Sequence, residues 1–168
     1  MNRQAQNGLN FTFRKTIEQQ VEVCIVNNIA GALKNVLHTI KPDRIFLICD
    51  SNIAQLYVEK IVEDLSRLFI THTIVHAPNE SHKNLSELNK ISEAFFAANG
   101  SAKSCIVAMG GGITGNIAGL FASLIFRGLP LIHIPTTLLA QLDSAVDVKQ
   151  SVNAGSVKNS IGTYKAPY

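Results

Sequence analysis

Two hydrophobic patterns take turns along the chain. Arg44–Cys49 (RIFLIC), Ser104–Met109 and Leu131–Ile134 are short, almost continuous apolar runs, the pattern of strands covered on both faces. Phe69–Val75 reads as a further core strand. Between these runs the spacing is helical. Over Asn28–Thr39, with Ile40, a single face collects Ile29, Leu33, Val36, Leu37 and Ile40. Ile53–Leu68 follows Ser51, which can cap it. Leu85–Ala98 stops at Asn99-Gly100, a good helix terminator. A helix of small residues runs from the turn Gly110–Gly112 to Phe126. Ahead of all this, Phe11–Arg14 and Gln20–Val26 predict a β-hairpin, the second strand alternating Val21, Val23 and Ile25; residues 1–10 predict a frayed start. Past Pro135 the apolar runs give way to a stretch rich in Thr, Asp, Ser and Lys, predicted as a loop, where function concentrates.

Strand and helix alternate four times. Such alternation requires right-handed crossovers between parallel strands. The expected fold is therefore α/β: an open, mainly parallel, Rossmann-like sheet with helices on both faces and an N-terminal β-hairpin. Composition agrees with one folded domain: 46% of the 168 residues are hydrophobic and 16% charged, enough to bury a core and too little charge for a disordered chain. The longest apolar stretch, Ile113–Phe126, is broken by Asn116 and Gly119 and falls short of the ~18 residues of a membrane span. The polar start MNRQAQNGLN predicts no secretory signal.

A net charge of +3 is too small for a nucleic-acid binder. Its placement says more. Residues 1–102 are balanced, and residues 103–168 carry five Lys/Arg against two acids, so an anionic ligand is expected toward the C-terminal third. Cys24, Cys49 and Cys105 stand alone in apolar runs and predict reduced, buried thiols of a cytoplasmic protein.

The strongest chemical signal is CIVAMGGGITGNIAG, Cys105–Gly119: strand, glycine turn, helix. Gly110, Gly112 and Gly115 satisfy G-x-G-x-x-G. Exposed N–H groups at such a helix start, with the helix dipole behind them, favour a phosphate; a tight turn with close helix packing would use the same glycines. No Gly-Lys-Ser/Thr follows, so a P-loop is excluded. No acid stands about 20 residues on, where the usual fingerprint places one for a ribose. Asp50, ending RIFLIC, can accept from a ribose or cap the next helix. Glu80 and Lys83 in PNESHK can clamp a hydroxyl and a phosphate or stand in a solvated loop. Thr136 and Thr137 follow a strand. Asp143 and Lys149 are opposite charges in an apolar stretch, expected to pair with each other or to bind ligand; Lys158-Asn159 adds a cation and an amide. His72 and His76 lie four apart on a strand-like stretch, and no complete metal site is expected in this chain.

GGGITGNIAG, then RGLPLIHIPTTLLAQLDSAVDVKQSVN, then KNSIG, in this order and spacing, resemble the sugar-phosphate cyclases typified by 3-dehydroquinate synthase, over residues 44–168. The glycine turn and PTT are also found in iron-dependent alcohol dehydrogenases; the longer PTTLLAQ-D block is specific. Two details are similar to the 2-deoxy-scyllo-inosose synthases: Asn116 where dehydroquinate synthases have Asp, and Asp147-Val148-Lys149-Gln150 where they read Gly-Gly-Lys-Thr. The LLAQ-D block resembles the dehydroquinate enzymes instead. The resemblance implies that residues 1–168 form an NAD-binding domain. Asp50 would hold the adenosine ribose, and Glu80 and Lys83 would contact the cofactor. Gly111, Gly112, Ile113, Thr114, Gly115 and Asn116 would cradle the pyrophosphate. Thr136, Thr137 and Leu138 would lie near the nicotinamide. Asp143, Lys149 and Asn159 would face substrate and nicotinamide, with Lys158 close by; Lys149, Lys158 and Asn159 would thus also bind the cofactor. It further implies a phosphorylated sugar substrate, a homodimer, no nucleic-acid or membrane partner, and a divalent Zn or Co ion. One Glu and two His of a second, helical domain outside this chain would hold that ion.

Overall fold

The computed structural model describes residues 12, 18 and 20–168. Four strands form one parallel sheet: β1 (Ile45–Asp50), β2 (Thr71–His76), β3 (Cys105–Gly110) and β4 (Leu131–Pro135), in the order β2-β1-β3-β4. The two strands that are buried at every position, β1 and β3, are the central pair. Their continuous apolar sequences follow from that place, since both faces of each are covered. Helices α1 (Ile29–Ile40), α2 (Ser51–Ile53) and α3 (Glu59–Ser66) cover one face. There Leu33, Leu37 and Leu65 meet Ile45, Leu47, Val107 and Met109. Helices α4 (Leu85–Ala97) and α5 (Gly112–Leu124) cover the other, where Ile91, Phe95 and Phe121 meet Phe46, Ile48 and Ile106. Successive strand residues thus feed opposite cores.

From β1 the chain moves outward to β2, returns past β1 to β3, and continues to β4. The direction reverses between β1 and β3, which pair directly from Ile45–Cys105 to Cys49–Met109. Carboxyl ends of strands that diverge in this way open a crevice above the sheet.

The expected α/β sheet with helices on both faces is present; the N-terminal hairpin is not among the described residues. Gln20–Val26 forms no strand, and Val23 and Ile25 are exposed. Period-two alternation needs a neighbouring strand and a face to bury against, and this segment pairs with no strand among the described residues. Phe11–Arg14, apart from Thr12, and residues 1–10 lie outside the described residues. Cys24 is exposed rather than buried, whereas Cys49 and Cys105 are buried free thiols, with burial pushing them up to about 11 and about 12.

One helix boundary differs from expectation, and another, the stop at Asn99-Gly100, stands where expected. The cap of α2 is Asp50, not Ser51: its Oδ1 accepts from Asn52 N and Ile53 N at 3.0 and 3.1 Å. After α4 the left-handed residue is Asn99 (φ 57°); Gly100 is required because a Cβ there would fall into the Phe95 ring.

The stretch after Pro135 is not a loop. It forms α6 (Leu138–Leu142) and an antiparallel hairpin, β5 (Lys149–Ala154) with β6 (Val157–Tyr164). The hairpin lies on α5. Gly119 leaves room there for the buried Gln150 side chain, into which any Cβ would run. Asn116 fastens the same contact: its Nδ2 donates to Gly112 O at 2.8 Å and its Oδ1 accepts from Ser151 N at 3.1 Å. This hairpin escapes a hydrophobic reading because it is sewn down largely by polar groups.

Candidate functional site

The crevice between β1 and β3 collects most of the sequence candidates. Asp50 ends β1 and is nearly buried. One of its carboxylate oxygens caps α2; the other makes no hydrogen bond among the described residues. Both readings of this residue are therefore compatible: a carboxylate has acceptor sites enough for a cap and a ligand hydroxyl.

Beside it β3 runs into Gly110–Gly112. The N-cap of α5 is Gly111, and no side chain caps this helix. The first bond at its start is Gly115 N to Gly111 O at 3.0 Å, so the N–H groups of Gly112, Ile113 and Thr114 point outward at the positive end of a thirteen-residue helix. A Cβ on Gly112 would meet only the Ser144 side chain, at 3.5 Å from Oγ and 3.8 Å from Cβ, an ordinary contact with no clash. A Cβ on Gly111 would touch the Thr137 methyl at 3.4 Å. The cradle thus has backbone donors and room for a phosphate, the two things a dinucleotide requires.

Thr114 and Asn116 do not turn their side chains to the crevice. Thr114 is buried and shares a 2.9 Å hydrogen bond with His76 Nε2, while His76 Nδ1 lies 2.9 Å from Ala77 O. That carbonyl can only accept, so Nδ1 carries a proton; when it is the ring's only proton, Nε2 accepts from the Thr114 hydroxyl. A Cβ on Gly110 would collide with Thr114, so strand end and helix start are locked together. Asn116 is spent on the hairpin, as described above. Ile113 packs partly into the core.

At the end of β4, Thr136 N donates to Gly110 O at 3.0 Å, tying the two strand ends together. Thr137 caps α6 through Ala140 N at 3.2 Å, and Leu138 is exposed. The expected pairing of Asp143 with Lys149 is not made. Asp143 is exposed, and Lys149 lies 3.6 Å from Asp147 with 71% of its side chain exposed. Such an exposed pair contributes at most about 1 kcal/mol. Lys149 is thus lightly held.

The turn after β2 forms the far wall. Lys83 is buried, and its ammonium donates to Asn159 Oδ1. Burial lowers its proton affinity, the Glu80 carboxylate raises it, and Lys158 lowers it further. Glu80 Oε1 accepts from Asn153 Nδ2 at 2.8 Å. Asn153 was not among the sequence candidates; only its place in the alternating register of β5 could have suggested it.

His133 was also missed. It stands on β4 beneath the first turn of α5, where a Cβ on Gly115 would lie 3.3 Å from its ring. Nε2 is buried without a partner, and burial pushes the imidazole down to about 4. A cavity of about 1220 Å³ lies on the outer side of β4 and α1, next to Gln20–Val26. It is lined by none of the sequence candidates. Pro78–Lys83, the glycine turn and the hairpin form an open rim instead. No cluster of three or more His, Cys, Asp or Glu able to hold a metal occurs among the described residues, so these residues do not fit the divalent ion. No helix among them is long and apolar enough to cross a membrane.

Comparison with known proteins places the same residues in context. Residues 73–168 match the family model described as 3-dehydroquinate synthase N-terminal. A 2-deoxy-scyllo-inosose synthase of Micromonospora echinospora is 39% identical over 137 residues, which is 82% of this chain and 34% of that protein. The chain therefore spans about a third of the length of this curated relative. The crystal structure of a 2-deoxy-scyllo-inosose synthase complexed with carbaglucose-6-phosphate, NAD+ and Co2+ superposes with a TM-score of 0.77 at 35% identity. That match covers 83% of this chain and 39% of the other. A 2-epi-5-epi-valiolone synthase from Streptomyces hygroscopicus subsp. jinggangensis 5008, with NAD+ and Zn2+ bound, gives 0.82 at 26% identity over 94% of this chain and 44% of its own.

Proposed function

Since this chain belongs to the 3-dehydroquinate synthase family, its match covering residues 73–168, we propose that it is the NAD-binding part of a sugar-phosphate cyclase of the 2-deoxy-scyllo-inosose synthase type. The observation that carries this reading is the uncapped start of α5 at the point where the strand order reverses. In this reading the N–H groups of Gly112, Ile113 and Thr114 receive the pyrophosphate. The free oxygen of Asp50 accepts from the adenosine ribose. Glu80 and Lys83 approach the cofactor from the far wall. Thr136, Thr137 and Leu138 line the side toward the nicotinamide. Asp143, Lys149, Lys158 and Asn159 then face a phosphorylated sugar, with Lys149 donating to its oxygens.

Bound there, NAD supplies transient oxidation of a ring alcohol, which acidifies the neighbouring C–H, permits phosphate loss, and is reversed before an intramolecular aldol step closes a carbocycle. The chain's own task is to orient and to exclude alternatives. Among the described residues no ligand set for the metal occurs. Glucose 6-phosphate is the first substrate to test, because an inosose synthase neighbour holds its carba-analogue. A second copy of the chain is the expected partner, checked by sedimentation velocity.

Calorimetric titration of the chain with NAD+ tests the reading. Saturable binding that is lost in Gly112→Val and kept in Asn84→Ala supports it; no binding by the parent chain removes it. Turnover belongs to a protein that also carries the metal ligands. Phosphate release from glucose 6-phosphate by this chain alone, abolished in Lys149→Ala, would require a metal site within it.

A further inference from the structure

We infer that Asn153 is a positioning residue, holding the Glu80 carboxylate and the Asn159 amide in the orientation that the cofactor and substrate meet. This rests on the reading of the crevice given above.

Four bonds converge on this one residue. Its Nδ2 donates to Glu80 Oε1 at 2.8 Å and, more loosely, to Glu80 O at 3.4 Å. Its Oδ1 accepts from Asn159 N at 2.8 Å. Its backbone N donates to Lys83 O at 2.7 Å. Asn159 in turn is held at φ 53° and accepts from the Lys83 ammonium. Glu80, Lys83 and Asn159, which come from the turn after β2 and from β6, therefore share Asn153 as their common fixed point. The pattern also fixes the amide's direction. Only NH2 can face the carboxylate, and only the oxygen can face the Asn159 N–H. An amide is the one side chain of this size that offers both.

The left-handed conformation of Asn159 is part of the same device. A non-glycine residue rarely adopts it without local support, and Asn153 Oδ1 on its N–H supplies that support. Without Asn153 the turn from Pro78 to Lys83 would still be tethered by its own bonds. Asn79 Oδ1 is 2.6 Å from His82 Nδ1, and Asn84 Nδ2 donates to Ser81 O at 2.7 Å. What would be lost is the direction of the Glu80 carboxylate and of the Asn159 amide.

Asn153→Asp is the sharpest test, since it keeps shape and the acceptor and replaces the donor by a charge. The charged groups around it are Glu80 and Lys83 from the turn and Lys158 from β6. Two carboxylates at hydrogen-bond distance cannot both ionise freely, so a proton shared between them restores the donor at low pH. Calorimetry with NAD+ should show about a tenfold weaker Kd than the parent at pH 8, narrowing to about threefold or less at pH 5. Asn153→Ala, which lacks the like charge, should weaken binding equally at both pH values and serves if the Asp variant does not fold. Binding within twofold of the parent at pH 8 in either folded variant, with only a lowered Tm, would overturn the inference and leave Asn153 structural. If the parent chain itself binds no NAD+, the reading of the crevice fails, and the inference falls with it.

Discussion

Helices α4 and α5 are both thirteen residues long and begin on the same rim of the sheet, yet their first turns are opposites. Asn84 caps α4 by accepting from Glu87 N at 3.0 Å, and Glu87 adds an acid to the first turn. At that end one first-turn donor and the helix dipole are answered from within the chain. α5 begins on glycines, with no capping side chain and no acid in its first turn. The N–H groups of its first turn are left uncapped. The two starts differ by what has been withheld, and the proposed NAD+ site rests on that difference.

The contrast can be broken most forcefully at Gly112. The first carbon of a side chain there stands in ordinary contact with the Ser144 side chain alone, at 3.5 Å from Oγ and 3.8 Å from Cβ, so the fold should survive with only a small change in Tm. The side chain would occupy the space above the open N–H groups. NAD+ affinity should fall by about 100-fold or more, the loss of two hydrogen bonds to a charged group at ~1.5 kcal/mol each. Calorimetry beside a melting curve checks both halves of the expectation.

His133 sharpens the comparison from below α5. Its imidazole stays uncharged down to about 4, against 6.5 for the unperturbed group. Between these values the unfolded chain binds more protons than the native one. Stability is therefore full above pH 6.5, falls as pH drops toward 4, and loses no more from this group below that; the loss amounts to about 3 kcal/mol. His133→Phe should remove this part of the acid slope in urea unfolding at pH 4–7. If the variant keeps the parent's slope, the acid sensitivity arises elsewhere.

Asp50→Asn should weaken NAD+ about tenfold, the scale of a hydrogen bond to a charged group, while leaving Tm almost unchanged, because Asn caps a helix as well as Asp. Asp50→Ala loses the cap too, and its Tm should drop. An Asn variant that binds NAD+ like the parent would confine Asp50 to its capping role.

Asn84→Ala has the smallest expected effect and is the counterpart of the first test. Loss of this cap should cost about 1 kcal/mol in urea unfolding and leave NAD+ affinity within twofold. A matching loss of affinity would mean that the two helix starts are not independent.

Where a segment's burial is dictated by its own apolar residues, its place in the fold was legible from the chain alone. RIFLIC and CIVAMG could only be central strands, and the alternation around them could only be an open parallel sheet with helices on both faces. The glycine turn was legible too, since a strand, three glycines and a helix leave few other arrangements, and Asp50 could be placed at a strand end. What the chain alone did not determine is whatever rests on polar groups meeting across long separations. Asn153 joins Glu80 and Lys83 some 70 residues away, and Asn116 holds Ser151 across the helix–hairpin contact. Gln150 fits Gly119, and Lys149 turns to Asp147 rather than Asp143. Hydrophobic burial is non-directional and leaves a periodic trace in a sequence, but a hydrogen bond depends on two partners being brought to within 3 Å at the right angle. That condition is met only once β3 has been added on the opposite side of β1 from β2 and the hairpin has come down on α5.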